Sequence, residues 1–422
     1  MRNTSLSRRG LLGGAIALGA LAACDSTTDP GTSAPQPSLA QAPPLDPKDW
    51  ANVRAQFALD PAVSHFAAFV FASPPAPVRD AIATHRAGFD HNPVHYLHSN
   101  EMRYYEAIRM GAAGYLGVRV GELCFTDSTT MGLGLVYNGL QLKAGDEVLT
   151  TEHDFYATHE ALRLRAARDG VTVRRVRLYA DPATASVDEI VSNLTKALSP
   201  ATKVIAITWV HSGTGVKLPV RQIADAISGR ALLCLDAVHG FGAEDAGPDQ
   251  LGCDFFISGC HKWLFGPRGT GLIWGKPAAW AQFNQAIPTF DFDNRGPSSS
   301  PGGYKDFEHQ WALSEAFTFH RNIGRDRIAA RIHELNGRLK EGLAGTKTIR
   351  LITPRSPDVS AGIVCTAFGD KNPANVVADL RSSGIHASVS PYDQPYVRFG
   401  ASIVTTEADV DKAIDASRAL SR

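Results

Sequence analysis

The sequence lacks the features that would point to a nucleic-acid-binding or membrane-spanning protein. Its 422 residues carry 42 basic and 42 acidic side chains, so no net charge favours a polyanionic partner. No basic stretch is interleaved with aromatic residues, and nucleic acid is therefore not an expected partner. No apolar run reaches the about 18 to 20 residues needed to span a bilayer. The remaining composition is that of a soluble globular protein, and the length favours two or more domains.

Cysteine is also scarce, which limits the roles that thiols can have. Only six cysteines are present, and Cys24 belongs to the N-terminal segment. The other five are widely spaced or lie in apolar runs: Cys124, Cys234, Cys253, Cys260 and Cys365. They form no CxxC pattern and no dense disulfide scaffold. The sequence therefore predicts neither a cysteine metal site nor a disulfide framework.

The first 47 residues differ in character from the rest of the chain. Basic residues precede a short apolar segment at 11–23, which predicts a secretory signal over residues 1–24. "SRRGLL" resembles a twin-arginine export signal, and "LAAC" resembles a lipobox in which Cys24 is lipidated. Cleavage without lipidation remains open. Residues 25–47 are rich in Pro, Ser, Thr and Ala and predict a disordered linker. We expect a periplasmic or cell-envelope protein, touching the membrane only through a lipid at Cys24.

The middle of the chain alternates short apolar runs with helical patterns. Runs such as "DEVLTTEHD", "KVIAITWVHSG" and "ALLCLDAVHG" are separated by helical stretches at 156–168, 187–198 and 220–228. This alternation predicts an α/β fold with a mainly parallel sheet covered on both faces. The pair "CDFFISGC" and "GTGLIWG" is too closely spaced for a helical crossover, so an antiparallel strand is expected there.

The pattern of predicted helices and strands changes near residue 300. A loop, "GPSSSPGGYKD", precedes one or two long helices within 307–345, and short strands then alternate with helices to the end. We predict a large domain over residues 48–300 and a smaller C-terminal α+β domain over residues 301–422. The N-terminal part of the large domain is expected to join the small domain in part.

Polar residues follow several of the predicted strands, where ligands bind in α/β sheets. The set consists of Ser128, Thr129, Thr130, His153, Ser212, Asp236, His239 and Lys262. Hydroxyls and free N–H groups at a helix N-terminus suit a phosphate. A buried acid such as Asp236 should face a cation, because an unpaired charge is costly to bury. Each of these residues on its own can have a purely structural role. A structural role does not explain why they all cluster at one edge of the sheet.

Pyridoxal phosphate accounts for the whole set. Its aldehyde needs a deprotonated lysine amine, and its pyridinium nitrogen needs a carboxylate partner. Its phosphate needs hydroxyls at a helix N-terminus, and its ring face can be covered by an aromatic or imidazole ring. Lys262, Asp236, the 128–130 segment and His153 have these properties.

The order of these blocks resembles a known family. "NPVHYL", the following helix with Arg109, "CFTDSTTMGL", "TTEHDFYA", "VHSGTGVKLPV", "LDAVHG" and "SGCHKWLFGPRGTG" occur in the order seen in class V aminotransferase-family enzymes. The "CHKW" form of the lysine motif resembles the isopenicillin N epimerase-like branch. The resemblance covers the chain from about residue 60 to its end. It implies the fold of fold-type I pyridoxal-phosphate enzymes, with a seven-stranded sheet, and a homodimer.

The resemblance also implies a role for each matching residue. Lys262 would carry the cofactor aldehyde, Asp236 would pair with the ring nitrogen, and His153 would stack on the ring. His239 and Ser212 would lie near the phenolic oxygen, and Arg398 would bind the substrate α-carboxylate. The phosphate would be held by Ser128, Thr129, Thr130, Ser258 and His261. If the register of the segment slips, Phe155 or Tyr156 takes the stacking role.

Two departures from the family pattern narrow the expected reaction. Cysteine desulfurases have a catalytic cysteine shortly before the matching arginine, whereas "SGIHASVSPYDQPYVR" has none. Sulfur transfer through a persulfide is therefore not expected. Family members carry "GT" where this chain has Gln310-Trp311, so the usual contact with the neighbouring subunit's phosphate is not predicted.

We therefore predict an enzyme that acts at the amino group or α-carbon of an amino acid or a small molecule containing one. Lys262 is the candidate base. Epimerisation, racemisation and transamination are all compatible with these residues, and a C–S or other β-lyase is the alternative reaction. A non-catalytic envelope lipoprotein on a retained enzyme fold is the alternative of a different class.

Overall fold

The fold is described from a computed structural model that covers residues 41–290 and 296–421. The predicted signal, Cys24 and most of the predicted linker lie outside these residues. No helix among the residues described is long and apolar enough to cross a membrane. The helices are α1 (Trp50–Ala55), α2 (Ala76–His91), α3 (Pro93–Leu116), α4 (Thr129–Gly139), α5 (Tyr156–Asp169), α6 (Val187–Ala197), α7 (Val220–Ile227), α8 (Pro248–Leu251), α9 (Pro277–Trp280), α10 (Phe307–Ile323), α11 (Arg325–Ala344), α12 (Pro373–Ser382) and α13 (Glu407–Leu420).

The strands form one large and two smaller sheets. They are β1 (Ser64–His65), β2 (Leu123–Thr126), β3 (Glu147–Thr151), β4 (Thr172–Val176), β5 (Thr202–Thr208), β6 (Leu232–Asp236), β7 (Phe255–Gly259), β8 (Gly271–Gly275), β9 (Ile349–Leu351), β10 (Val364–Phe368), β11 (Ile385–His386), β12 (Ser388–Val389) and β13 (Val397–Phe399). The large sheet has the order β2-β8-β7-β6-β5-β3-β4. β8 runs antiparallel to both neighbours and the other pairs are parallel, so the predicted fold class and the predicted antiparallel strand are confirmed.

Alternate residues of the large sheet enter two separate hydrophobic clusters. Leu233 and Leu235 of β6 pack into one cluster, while Cys234 packs into the other. β5 divides in the same way, with Ile205 on one face and Val204 on the other. Successive side chains of a strand point to opposite faces, so β5 and β6 are buried on both faces of the sheet. Polar groups on these two strands can therefore reach a ligand only at the strand ends.

The chain beyond α11 builds the antiparallel sheet β12-β13-β10-β9. The N-terminal segment also joins this region, because β1 pairs in parallel with β11, with Ser64 opposite Ile385. Phe66 packs into the same hydrophobic cluster as Ile385 and Phe399. The boundaries 48–300 and 301–422 stay a prediction, since residues 41–422 group as one unit.

Candidate active site

The candidate site is a cavity of about 250 Å³ at the carboxyl ends of the parallel strands. Most of the side chains singled out in the sequence line it: Ser128, Thr129, Thr130, Ser212, Asp236, His239, His261, Lys262 and Arg398. A larger, more open depression of about 910 Å³ lies at the opposite edge of the sheet, and it contains none of these residues. The carboxyl edge is where ligands bind in open α/β sheets, so the smaller cavity is the candidate active site.

Lys262 follows β7 in a tight, strained turn. Phe265 N–H donates to the Lys262 carbonyl at 2.9 Å, and Gly266 N–H donates to the Cys260 carbonyl at 2.8 Å. Phe265 has a φ of 55°, a conformation that is costly for an aromatic residue, and its ring is buried edge-on against Phe57 at 5.0 Å. Packing of this ring thus maintains the turn that directs Lys262 into the cavity.

Lys262 and Asp236 act on each other across the cavity. Burial lowers the pKa of the Lys262 amine below its ordinary value, although the Asp236 carboxylate opposes that shift. Burial likewise raises the pKa of Asp236, opposed by the Val238 N–H group and by Lys262. That N–H donates to Asp236 Oδ1 at 3.1 Å. Among the described residues Lys262 Nζ makes no hydrogen bond, so its amine is available for chemistry.

The N-terminus of α4 forms an anion cradle beside the lysine. Ser128 Oγ caps the helix by accepting the Met131 N–H at 3.1 Å, and Gly259 N–H donates to Thr129 Oγ1 at 2.8 Å. A Cβ on Gly259 would lie 3.0 Å from Thr129 Oγ1, so any side chain at this position would crowd the cradle. His261 Nδ1 is buried without a partner and its ring lines the same cavity. These groups can donate to a phosphate.

Two residues that the sequence predicts to contact the phosphate or the cofactor ring, Ser258 and His153, do not face the cavity. Ser258 is fully buried, and its hydroxyl donates to the carbonyl of Gly259 at 2.9 Å instead of facing the cavity. The His153 ring lies parallel to Tyr179 at 4.3 Å and is not among the cavity-lining residues. The predicted stacking role of His153 does not agree with this placement. Phe155, which the sequence left as an alternative, lines the cavity.

The buried carboxylate of Asp154 explains why Phe155 points inward. Its Oδ2 accepts from the Thr151 N–H at 2.7 Å and the Thr150 hydroxyl at 2.8 Å, and its Oδ1 accepts from the Thr208 N–H at 2.7 Å. These bonds fix the turn after β3 against the end of β5. The turn sends His153 toward Tyr179 and Phe155 into the cavity. The sequence motif alone does not show which side of this turn faces the cavity.

Arg398 lies on β13 and lines the cavity. Its guanidinium sits over the Phe69 ring at 5.0 Å and donates to the carbonyls of Val389 at 3.0 Å and Ser212 at 3.3 Å. Its Nε has no partner, and no carboxylate of the described residues lies within ion-pair distance. A buried arginine without an internal anion can receive a carboxylate from a ligand.

The remaining polar walls come from His239, Ser212 and Tyr392. Burial, with help from Lys262 and Arg398, lowers the pKa of His239 well below its ordinary value, so the imidazole is neutral. Ser212 Oγ lies 2.8 Å from Tyr392 Oη. Tyr392 and the apolar residues Phe69, Leu133 and Val238 also line the cavity and were missed in the sequence. Only Tyr392 had a usable signal, as an aromatic residue six positions before the predicted carboxylate-binding arginine.

The departures at 310–311 have a structural explanation. Trp311 is buried and stacks on Tyr104 at 5.0 Å, while Gln310 Oε1 accepts from the Tyr105 hydroxyl at 3.4 Å. Trp311 therefore packs α10 against α3. Arg109, also on α3, does not line the cavity.

Comparison with known proteins agrees with this architecture. The family model "Aminotransferase class-V" matches residues 73–412. The chain is 28% identical to isopenicillin N epimerase of Amycolatopsis lactamdurans, over 88% of this chain and 99% of that protein. It is 26% identical to the isopenicillin N epimerase of Streptomyces clavuligerus, over 88% of this chain and 98% of that protein.

Solved structures show the same fold at lower identity. A mutant of C-DES with glycine covalently linked to its PLP cofactor has a TM-score of 0.80 at 18% identity, and covers 86% of this chain and 98% of that one. The cysteine desulfurase of Thermococcus onnurineus NA1 has a TM-score of 0.78 at 21% identity, and covers 88% and 97%. This chain belongs to the class V aminotransferase family, whose enzymes depend on pyridoxal phosphate.

Proposed function

We propose that this protein inverts the α-carbon of an amino acid, or of a small molecule that contains one, using pyridoxal phosphate held at Lys262. Transamination at the same carbon is the second reaction that these residues support. The observation that carries the proposal is one cavity that contains a lysine, a buried carboxylate and an unpaired arginine. The two isopenicillin N epimerases, aligned over nearly their whole length, favour inversion.

The residues of the cavity fit the cofactor group by group. Thr129 and His261 offer donors at the helix N-terminus, and the His261 Nδ1 is left without a partner inside the protein. Asp236 is buried with only one backbone donor, the Val238 N–H. An acid in that setting favours a cationic partner such as a protonated ring nitrogen. Phe155 supplies an apolar face on the β3 side of the cavity.

The residues of this chain would divide the reaction among themselves. When bound, the cofactor accepts the electron pair left at the α-carbon after a proton is removed. Lys262 would hold the cofactor, and its Nζ would be the base that takes the α-proton of the substrate. Asp236 keeps the ring nitrogen protonated, and Arg398 orients the substrate through its carboxylate. The lowered pKa of Lys262 makes its amine a usable base near neutral pH.

The buried thiols argue against sulfur transfer as the reaction. No cysteine of the described residues lines the cavity. The Cys365 sulfur lies 3.9 Å from the carbonyl of the cavity residue Ser212, and burial raises the pKa of this thiol to about 12. A buried protonated thiol is a poor nucleophile. A persulfide route through Cys365 is therefore not part of the proposal.

The visible spectrum tests the cofactor assignment. Purified protein should absorb in the visible, and Lys262→Ala should lose that band. Lys203→Ala, which changes an exposed lysine that donates to the Pro200 carbonyl, should keep it. A colourless wild-type protein that also fails to bind added pyridoxal phosphate would identify the scaffold alternative.

A substrate panel separates the reactions. The coloured protein is incubated with the separate L and D enantiomers of alanine, leucine, methionine, glutamate and cystine. Inversion is measured by chiral chromatography, keto acid by derivatisation, and sulfide colorimetrically. We expect the opposite enantiomer as the main product. Sulfide or persulfide from cystine without inversion would assign a C–S lyase instead.

We further propose export through the twin-arginine route to the cell envelope, with or without a lipid on Cys24, and a homodimer. The basic start, the apolar segment and "LAAC" support the export proposal, and their residues lie outside the described structure. Exposed Phe71, Met131 and Tyr156, each next to a cavity residue, support a partner over the cavity mouth. Fractionation of wild type against an Arg8→Lys/Arg9→Lys variant tests export, and light scattering tests the dimer.

A further inference from the structure

The loop before β13 delivers one ionisable side chain into the cavity. Residues 390–396 form a closed loop, because Ser390 N–H donates to the Tyr396 carbonyl at 2.9 Å and Tyr396 N–H donates to Ser390 Oγ at 2.8 Å. Within it, Tyr392 is half-buried and lines the cavity. Its hydroxyl lies 2.8 Å from Ser212 Oγ.

The tyrosine ring is held from two further sides. A Cβ on Gly213 would lie 2.9 Å from Tyr392 Cδ2, so any other residue at 213 would collide with the ring. The ring also meets Phe155 edge-on, with the centroids 6.2 Å apart. A tyrosine fixed this closely presents its hydroxyl to one place in the cavity.

The order of the strands sets Tyr392 apart from Lys262. The sheet runs β7-β6-β5-β3, and Lys262, Asp236, Ser212 and Phe155 follow these strands in that order. Tyr392 is anchored at Ser212 and Phe155, which is the β5–β3 side, whereas Lys262 enters from the β7 side. A ligand that fills the cavity would therefore lie between the two groups.

We propose that Tyr392 is the second acid–base residue at the substrate α-carbon, acting on the face opposite Lys262. This inference rests on the proposed inversion reaction and deepens it. It gives that reaction the second proton-transfer group that inversion needs, since one base acting from one face returns the proton with retention.

The proton transfers balance. Lys262 Nζ takes the α-proton from one face as the Cα–H bond breaks, and becomes an ammonium group. Tyr392 Oη–H gives its proton to the opposite face as a new Cα–H bond forms with the same electron pair, and becomes a phenolate. Solvent then returns a proton from Lys262 to Tyr392, and the substrate has gained and lost one proton. The other enantiomer follows the same steps in reverse.

The surroundings of Tyr392 suit this exchange. Burial raises the pKa of Tyr392 above its ordinary value, and the Ser212 hydroxyl and Arg398 act in the opposite direction. The phenol is thus protonated at neutral pH and ready to act as the acid. Once ionised, its oxygen can accept from the Ser212 hydroxyl, with the Arg398 charge nearby.

Tyr392→Phe keeps the ring and removes only the hydroxyl. The test uses the panel amino acid whose α-hydrogen the wild type exchanges fastest, with each enantiomer incubated separately in D₂O. We expect the variant to keep the visible band and to exchange the α-hydrogen of one enantiomer with retention. Inversion should fall by about 100-fold or more, the range for loss of a general acid–base group. Tyr396→Phe, in the same loop but not lining the cavity, should invert at the wild-type rate.

Measuring the binding of a substrate analogue distinguishes a proton-transfer role of Tyr392 from a role in lining the cavity. The α-methyl analogue of the same amino acid has no α-hydrogen, and its binding is followed by the change in the visible spectrum. Its dissociation constant should differ by less than about threefold between wild type and Tyr392→Phe. An equal loss of analogue binding and of inversion, or inversion by the variant at the wild-type rate, overturns the inference.

Failure of the proposed function looks different from failure of this inference. A wild type that exchanges the α-hydrogen of one enantiomer only, with retention, contradicts both inversion and the role of Tyr392. A wild type without a visible band or any exchange contradicts the proposed function before Tyr392 is tested. Normal inversion by Tyr392→Phe contradicts the inference alone.

Discussion

At the scale of single residues, a comparison of Lys262 with Lys340 shows what makes an amine reactive here. Lys340 donates to the carbonyls of Pro354 at 3.3 Å and Arg355 at 3.0 Å and to Ser360 Oγ at 2.7 Å, so its three protons are engaged. Lys262 is half-buried and makes no hydrogen bond with the residues described. Burial lowers the pKa of both amines. Only Lys262 combines a lowered pKa with a free nitrogen that faces a cavity.

We expect cofactor-free protein to react with added pyridoxal phosphate at a lower pH than a free lysine does. The deprotonated amine is the nucleophile, and burial depresses its pKa below the ordinary value of 10.5, so the rate should rise with pH and level off earlier. The rate at which the visible band appears, followed from about pH 6 to about pH 10, measures this pH dependence. A rate that parallels that of N-acetyl-lysine amide throughout would contradict the expectation.

Arg398→Gln should weaken substrate binding while leaving the cofactor in place. Loss of a charge-assisted pair with the substrate carboxylate costs about 1.5 to 3 kcal/mol, or roughly 10- to 150-fold in the dissociation constant. Spectral titration with an amino acid measures the loss, and the visible band reports the intact cofactor site. Arg350→Gln, which changes an arginine of the same sheet paired with Asp181, is the matched control. Equal affinity in the two variants would remove Arg398 from the substrate site.

The sequence predicts candidate site residues best where the chemical group of a side chain suits a single role in the site. Lys262 and Asp236 stand out because a lysine and an acid at strand ends need a partner, and Arg398 stands out as a charge between the apolar residues Val397 and Phe399. His153 and Phe155 could not be separated, because the difference depends on a turn fixed by Asp154 bonding to the end of a strand 54 residues away. Tyr392 was missed because its position depends on packing against Gly213, a long-range contact.

At the scale of elements, α4 is fixed at both ends. Its N-terminus faces the cavity, and its C-terminus is covered by the buried Arg165 of α5. That guanidinium donates to the carbonyls of Tyr137, Asn138, Leu140 and Leu142. Carbonyls at a helix end lack partners within the helix, so Arg165 satisfies groups that would otherwise be buried unpaired. The position of the phosphate cradle thus depends on a residue at the other end of the helix.

Arg165→Met should lower the free energy of unfolding by about 3 to 5 kcal/mol, because it leaves buried carbonyls at the C-terminal end of α4 without their charged donor. Urea unfolding followed by circular dichroism measures the change. Arg168→Met, three residues along the same helix and exposed, should change it by less than about 0.5 kcal/mol. Similar losses in both variants would show that Arg165 does not hold the helix end.

The elements themselves were largely readable from the sequence. The predicted helices at 156–168, 187–198 and 220–228 appear as Tyr156–Asp169, Val187–Ala197 and Val220–Ile227. The helical stretch 307–345 divides at Gly324, whose φ of 98° ends one helix and begins the next. Periodicity identifies such helices, but it cannot identify β1 and β11, two-residue strands that exist only because distant segments pair.

At the scale of the whole molecule, the fold keeps its thiols out of reach. Cys124, Cys234, Cys253, Cys260 and Cys365 are free and buried. Cys260, next to His261 and Lys262, packs into the apolar core, and burial raises its pKa to about 12. Among the residues described, no disulfide therefore contributes to the fold.

We expect these five thiols to be unreactive toward Ellman's reagent in the native protein and fully reactive in denaturant, because protonated, inaccessible thiols do not attack disulfides. The absorbance of the released anion counts the reactive thiols. A Cys24→Ser variant removes the contribution of Cys24 from this count. Rapid labelling of any of the five in native protein would show that the core opens locally.

The cavity is assembled from stretches that lie far apart along the chain. The groups that suit the cofactor follow β2, β6 and β7, whereas Arg398 and Tyr392 come from the last part of the sequence and Phe69 from the first. With the proposed roles, cofactor retention and substrate choice are therefore encoded in separate parts of the chain. During evolution the C-terminal loop could change, and with it the preferred amino acid, without any change in the residues that suit the cofactor.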